Sequence, residues 1–191
     1  PLPTLHWIVS DTNGKSIVIE KTKEGFKTYD NPIGVLTNSP TFSWHLTNLN
    51  EYMKTTPVQP ENVKWGNKEL RPLGVGMGTK GLPGGLSGVD RFVRIAYLKS
   101  KFSVSEDLLS GISQFFHMLN NVAMPRGAVI SEGSDDITLY SSCMCQQKGI
   151  YYYSTYNNNG VSAVDMNKED LDGKEIKRFE YLDKLNILYQ N

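Results

Sequence analysis

The chain opens with short runs of apolar and β-branched residues at strand length. Residues 5–10 (LHWIVS) and 15–20 (KSIVIE) flank DTNG, whose Asn-Gly pair suits a tight hairpin turn, and residues 26–29 follow a second turn at 21–25. This is the pattern of an antiparallel meander. Over residues 34–53, GVLTNSPTFSWHLTNLNEYM, the period changes. Val35, Leu36 and Thr37 suit a buried strand, Ser39 suits an N-cap, and Pro40 suits the first helical position. Phe42, Leu46, Leu49 and Met53 then recur at helical spacing, which predicts a helix over 40–53 with one apolar stripe.

Residues 54–86 carry four prolines and a cluster of glycines, and read as a long irregular loop. A helix is expected over 87–101, with Val89, Phe92, Val93 and Ala96 on one face. Ser103 and Glu106 have capping-box spacing for the next helix, which carries Leu108, Ile112, Phe115, Phe116 and Leu119 and ends at Pro125. Strands are expected at 128–130, 137–143, 150–155 and 161–164, with a turn at 157–160, a helical turn at 168–172 and a last strand at 175–181. Helices placed between two groups of antiparallel strands predict a layered α+β fold.

Composition narrows the function classes. Twenty basic and 20 acidic residues give no net charge, which argues against nucleic acid and a membrane surface as partners. With 39% hydrophobic residues among 191, the chain can build a globular core. No apolar run is long enough to span a bilayer. Cys143 and Cys145 share one face of a strand and read as reduced core residues, which points to a cytoplasmic protein. His6, His45 and His117 lack ligand spacing, so no metal site is expected; His45 is expected to pack near the loop. Asp135 and Asp136 read as a turn, and Tyr151, Tyr152 and Tyr153 as a strand needing no cofactor. The glycines at 74–85 lack the Gly-Lys-Ser/Thr ending of a phosphate loop.

One residue type and place suggests chemistry. Asn38 lies between the expected strand and helix, beside the positive end of a helix dipole, where an amide can hold negative charge on oxygen. Turn geometry alone also accounts for an asparagine there.

YDNPIGVL with TNSPTFSWHLTNLNEY, then GLPGGLSGVDRFVR, FFHMLNNVAMPRG and TLYSSCMCQQKGIYYY, occur in that order. These four blocks together resemble the choloylglycine hydrolase family, and TNSP with its Trp-His pair is more similar to the penicillin V acylase branch than to the bile salt branch. The resemblance implies a four-layer αββα sandwich of the N-terminal-nucleophile hydrolase type, of which residues 1–191 would be the C-terminal portion of a single domain. It implies hydrolysis of a non-peptide amide bond in a small-molecule substrate, penicillin V first and a conjugated bile salt as the alternative. It implies no cofactor. The family nucleophile is an N-terminal cysteine, whereas Pro1 has no nucleophilic side chain; a free proline amine acting as a base is the minor alternative. The cysteine is therefore expected on an N-terminal portion outside these residues. Carried over by motif, Asn38 is the expected oxyanion-hole asparagine and Arg91 the expected catalytic arginine, with Arg94 as its rival. Without the resemblance, Arg91 reads as a structural or surface residue. Residues 54–86 are then expected to form an oligomerisation arm of a homotetramer. The reading from a different class is a non-catalytic binding or assembly domain.

Overall fold

Strands β1 (His6–Ser10), β2 (Ser16–Thr22) and β3 (Gly25–Asp30) form an antiparallel sheet in that order. This is seen in a computed structural model of the chain, which describes residues 5–103 and 106–191. The reading of Pro1 falls outside the described residues. The DTNG turn forms as expected: Asp11 Oδ1 accepts from the backbone N–H of Asn13 and of Lys15, each at 2.9 Å, and Gly14 takes φ of 80°. The register sets Val18 opposite Ile8 and Tyr29. The two-residue period then puts Glu20 on the same side as Val18, and both are buried. On the other side Trp7, Val9 and Phe26 remain 40–68% exposed.

Residues 35–37 form no strand, contrary to the sequence pattern. The Asn31 side chain replaces the ladder: Oδ1 accepts from Gly34 N at 2.8 Å and Nδ2 donates to the Val35 carbonyl at 3.2 Å. Val35 is still buried. The following helix is also shorter than expected. Helix α1 is Phe42–Asn48, with Thr41 in the N-cap place, and it continues as a 3-10 turn over Leu49–Tyr52. The Ser39–Pro40 bond is cis. The first helical N–H, at Phe42, is taken by Glu20 Oε1 at 2.8 Å, so a buried carboxylate from β2 meets the helix start that the sequence left open to a reacting group. Met53 ends up exposed, and His45 takes the buried place on the helix instead.

The segment 54–86 contains a hairpin, β4 (Val63–Trp65) with β5 (Lys68–Leu70), and a 3-10 turn at Met77–Thr79. Helix α2 (Gly88–Ser100) follows, close to its expected bounds. Ser87 Oγ accepts from Asp90 N at 3.1 Å and donates to Asp90 Oδ2 at 2.8 Å, which fixes its start. Phe92 and Ala96 of α2 meet Phe42, Val18 and Val35 in one core cluster. Each buried phenylalanine contributes roughly 1.5–3 kcal/mol. These elements make up one compact unit, Pro1–Ser100.

The second unit is Lys101–Asn191. Its helix α3 (Leu108–Asn120) is capped by Asp107, which accepts from Ser110 N at 2.8 Å, and not by the Ser103–Glu106 pair. Strands β6 (Ile130–Ser131) and β7 (Ser134–Asp135) form a small hairpin. Strands β8 (Tyr140–Cys145), β9 (Ile150–Thr155) and β10 (Ser162–Asp165) form an antiparallel sheet in the order β10–β9–β8. Ile112 and Phe116 of α3 pack on Tyr152, with Cys143, Cys145 and Ile150 at the margin. Both cysteines are free thiols. The helical turn lies at Met166–Lys168, earlier than expected, and residues 175–181 form no strand.

Candidate active site

Asn38 and Arg91 are 53 residues apart in sequence and touch in the fold: Arg91 Nη2 donates to Asn38 Oδ1. Three close approaches bring them there. Thr37 Oγ1 donates to the Gly88 carbonyl at 2.7 Å. Gly88 itself has no room for a side chain, because a Cβ would lie 2.9 Å from the Ser39 carbonyl oxygen and 3.2 Å from Asn38 Cβ. Arg91 Nε donates to the Leu86 carbonyl at 2.9 Å, which aims the guanidinium back along the start of α2.

The pairing also orients the amide. A guanidinium can only donate, so it selects the oxygen end of Asn38. The Nδ2–H2 end is turned away, and it has no partner among the described residues on a side chain that is exposed. The outcome is an oriented amide donor beside a fixed cation. Burial first, and the charge of Arg94 second, pull the Arg91 guanidinium below its ordinary range; guanidinium remains a cation at any working pH.

Arg94, the sequence rival, is placed differently. It is buried, and its Nη1 donates to the carbonyls of Pro83 and Gly85, each at 2.8 Å. It clamps the glycine-rich turn that leads into α2.

Sequence reasoning gave no role at this site to two groups behind Asn38. His45 is fully buried, and its Nε2 lies 2.8 Å from the Asn38 carbonyl oxygen. Glu20 holds the start of α1, as described above. A signal for each was present: Glu20 alternates with Val18 on β2, and His45 is three residues after Phe42 on α1.

The other candidates belong to the second unit. Burial pushes the Cys143 thiol up, with Cys145 adding to the effect, which is the reverse of an activated nucleophile. A cavity of about 470 Å³ lined by Tyr140, Tyr151, Tyr153, Phe179 and Tyr181 is built wholly from the second unit. No cluster of three or more His, Cys, Asp or Glu side chains that could hold a metal is present among the described residues.

The profile of the linear amide C–N hydrolases, choloylglycine hydrolase family, matches residues 2–179. The chain belongs to this family. A bile salt hydrolase/transferase of Clostridium perfringens is 50% identical over all of this chain and 58% of its own length. The crystal structure of a mutant conjugated bile acid hydrolase from the same organism superposes with a TM-score of 0.92 at 50% identity, again over 100% of this chain and 58% of that one. A penicillin V acylase from Agrobacterium tumefaciens has a TM-score of 0.65 at 26% identity, covering 86% of this chain and 46% of its own. The α+β class and the N-terminal-nucleophile hydrolase fold are those of the family's solved members. The chain spans 58% of the length of the Clostridium perfringens relatives and 46% of that of the penicillin V acylase. The penicillin V acylase leaning of TNSP and the Trp-His pair is not favoured, because similarity is greater to the bile salt enzymes over the whole chain.

Proposed function

We propose that this chain supplies the oxyanion donor and the cation of an amide hydrolase that cleaves conjugated bile salts, releasing glycine or taurine. The observation that carries the reading is the Asn38–Arg91 pair: an amide whose oxygen is held by a guanidinium and whose N–H groups are left free for a reacting oxygen. The bile salt substrate is supported by 50% identity to the Clostridium perfringens enzyme, against 26% for the penicillin V acylase.

The nucleophile is a cysteine thiolate supplied by sequence outside these 191 residues. It attacks the carbonyl carbon, and the carbonyl electron pair moves to oxygen. Asn38 Nδ2–H stabilises that oxyanion, a donor worth about 10²–10³ in rate. The carbonyl then re-forms as the C–N bond breaks, the amine leaves with the proton that the thiol gave up, and water hydrolyses the thioester to the free acid and the thiol. Arg91 fixes the Asn38 amide and places positive charge beside the reacting centre.

The test is hydrolysis of glycocholate against penicillin V by the complete protein. Glycocholate is expected to be cleaved with the higher kcat/KM. A higher value for penicillin V restores the acylase reading, and no cleavage of either leaves the non-catalytic binding or assembly domain.

The arm at 54–86 supports assembly with further copies, because Trp65, Leu73 and Val75 are 74–98% exposed on it. Trp65→Asp is expected to lower the subunit number seen by light scattering, and an unchanged mass contradicts that role. Among the described residues no helix is long and apolar enough to cross a membrane.

A further inference from the structure

The reaction above leaves one buried group of the site unused. His45 is completely inaccessible, yet it spends only one of its two ring nitrogens. Nε2 faces the Asn38 carbonyl oxygen at 2.8 Å, while Nδ1 is buried with no hydrogen-bond partner. A carbonyl oxygen can only accept, so Nε2 must carry the hydrogen. The ring stacks on Phe92 of α2 with centroids 4.2 Å apart and planes 15° apart, and Trp44 meets it edge-on at 5.7 Å. Phe92 directly follows Arg91. Burial lowers the affinity of the ring for a second proton, with the Asn38 carbonyl and Glu20 opposing and His6 adding to the effect.

We propose that His45 is a positioning residue for amide hydrolysis: its Nε2–H holds the Asn38 backbone, and through it the side-chain amide that Arg91 orients. The inference rests on the hydrolase reading of Asn38 and Arg91. A purely space-filling role would favour an apolar ring, because a buried Nδ1 without a partner is costly. What the imidazole adds over phenylalanine is one N–H, directed at the residue whose side chain is the oxyanion donor. Asn38 is itself exposed, so this hydrogen bond and the contacts at Gly88 and Arg91 are what hold it in place. Reacting groups are sensitive to such placement, since a displacement of about 1 Å can cost about 10²-fold in rate.

Two substitutions in the complete protein separate the ring from the donor. His45→Phe keeps a stacked ring and removes the N–H. His45→Gln removes the ring and restores a side-chain N–H. The Phe variant is expected to lose kcat by about 10- to 100-fold with KM within about threefold, and the Gln variant to regain most of that loss. A Phe variant within about twofold of wild type, equal losses in the two variants, or a loss carried by KM each overturns the proposal. In parallel, nitrogen-15 NMR of labelled histidine reads the tautomer on the wild type, independently of any variant folding. The Nε2–H form is expected, and an Nδ1–H form overturns the inference whatever the activity. A wild type inactive on glycocholate and penicillin V sinks the hydrolase reading, and the tautomer still decides the hydrogen bond.

Discussion

Gly88→Ala is the sharpest test of how the site is assembled. The added Cβ would stand 2.9 Å from the Ser39 carbonyl oxygen, 3.2 Å from Asn38 Cβ and 3.4 Å from Asn38 C. None of these is the far end of a flexible side chain, so the Asn38 turn or the start of α2 must move by several tenths of an ångström. Overpacking of this kind costs about 1–3 kcal/mol. Replacing a helical glycine by alanine returns up to about 1 kcal/mol. The net effect on stability is therefore about 0–3 kcal/mol, small enough for the protein to stay folded. The effect on activity is larger, because the displacement acts directly between Asn38 and the helix that carries Arg91. A kcat loss of about 10- to 100-fold is expected for glycocholate hydrolysis, measured as glycine released. A melt run beside the assay separates the two effects. Gly111→Ala is the control: it lies on α3, its Cβ would meet nothing within 4 Å, and it should gain about 0.5–1 kcal/mol with no change in kcat. A Gly88→Ala enzyme turning over within about twofold of wild type would refute the claim that close backbone contact at this glycine sets the catalytic geometry.

Four further outcomes are expected. Asn38→Ala should lower kcat by about 10²–10³ while the melting temperature barely moves, because the side chain is exposed. Arg91→Lys should lower kcat as well, since one ammonium cannot hold both the Leu86 carbonyl and the Asn38 amide; kinetics with unchanged kcat would contradict this. Glu20→Ala should destabilise by about 1–3 kcal/mol in urea melts, because it leaves Phe42 N–H buried without an acceptor. His45 has its proton affinity lowered in the folded state, so the unfolded chain binds more protons once pH falls below the ordinary histidine value of 6.5. Stability should then fall on acidification through that value, and the His45→Gln difference between urea midpoints at neutral and mildly acid pH reads this share.

Local rules carried part of this structure. The Asn-Gly turn, β9 and the bounds of α2 follow from turn chemistry and periodicity within a few residues. The failures lie where a side chain at long range replaces a local device. Residues 35–37 have strand-forming composition, but Asn31 binds the backbone at Gly34 and Val35 instead. Ser39 and Pro40 look like a helix start, but the N–H group to be satisfied is that of Phe42, and its acceptor is Glu20, 22 residues earlier. Asn38 and Arg91 were nameable through motif likeness alone, because nothing in their spacing foretells that α2 returns to the Asn38 turn. His45 was read only as packing near the loop, whereas its periodic partner Phe42 carries it into the core.

The β1–β2–β3 sheet ends on both sides in strands that pair with only one neighbour among the described residues, and Trp7, Val9 and Phe26 stand on its open side. Such a surface is a template for unwanted strand addition. At high concentration the polypeptide should cloud, and charged substitutions at Trp7 or Phe26 should delay the turbidity.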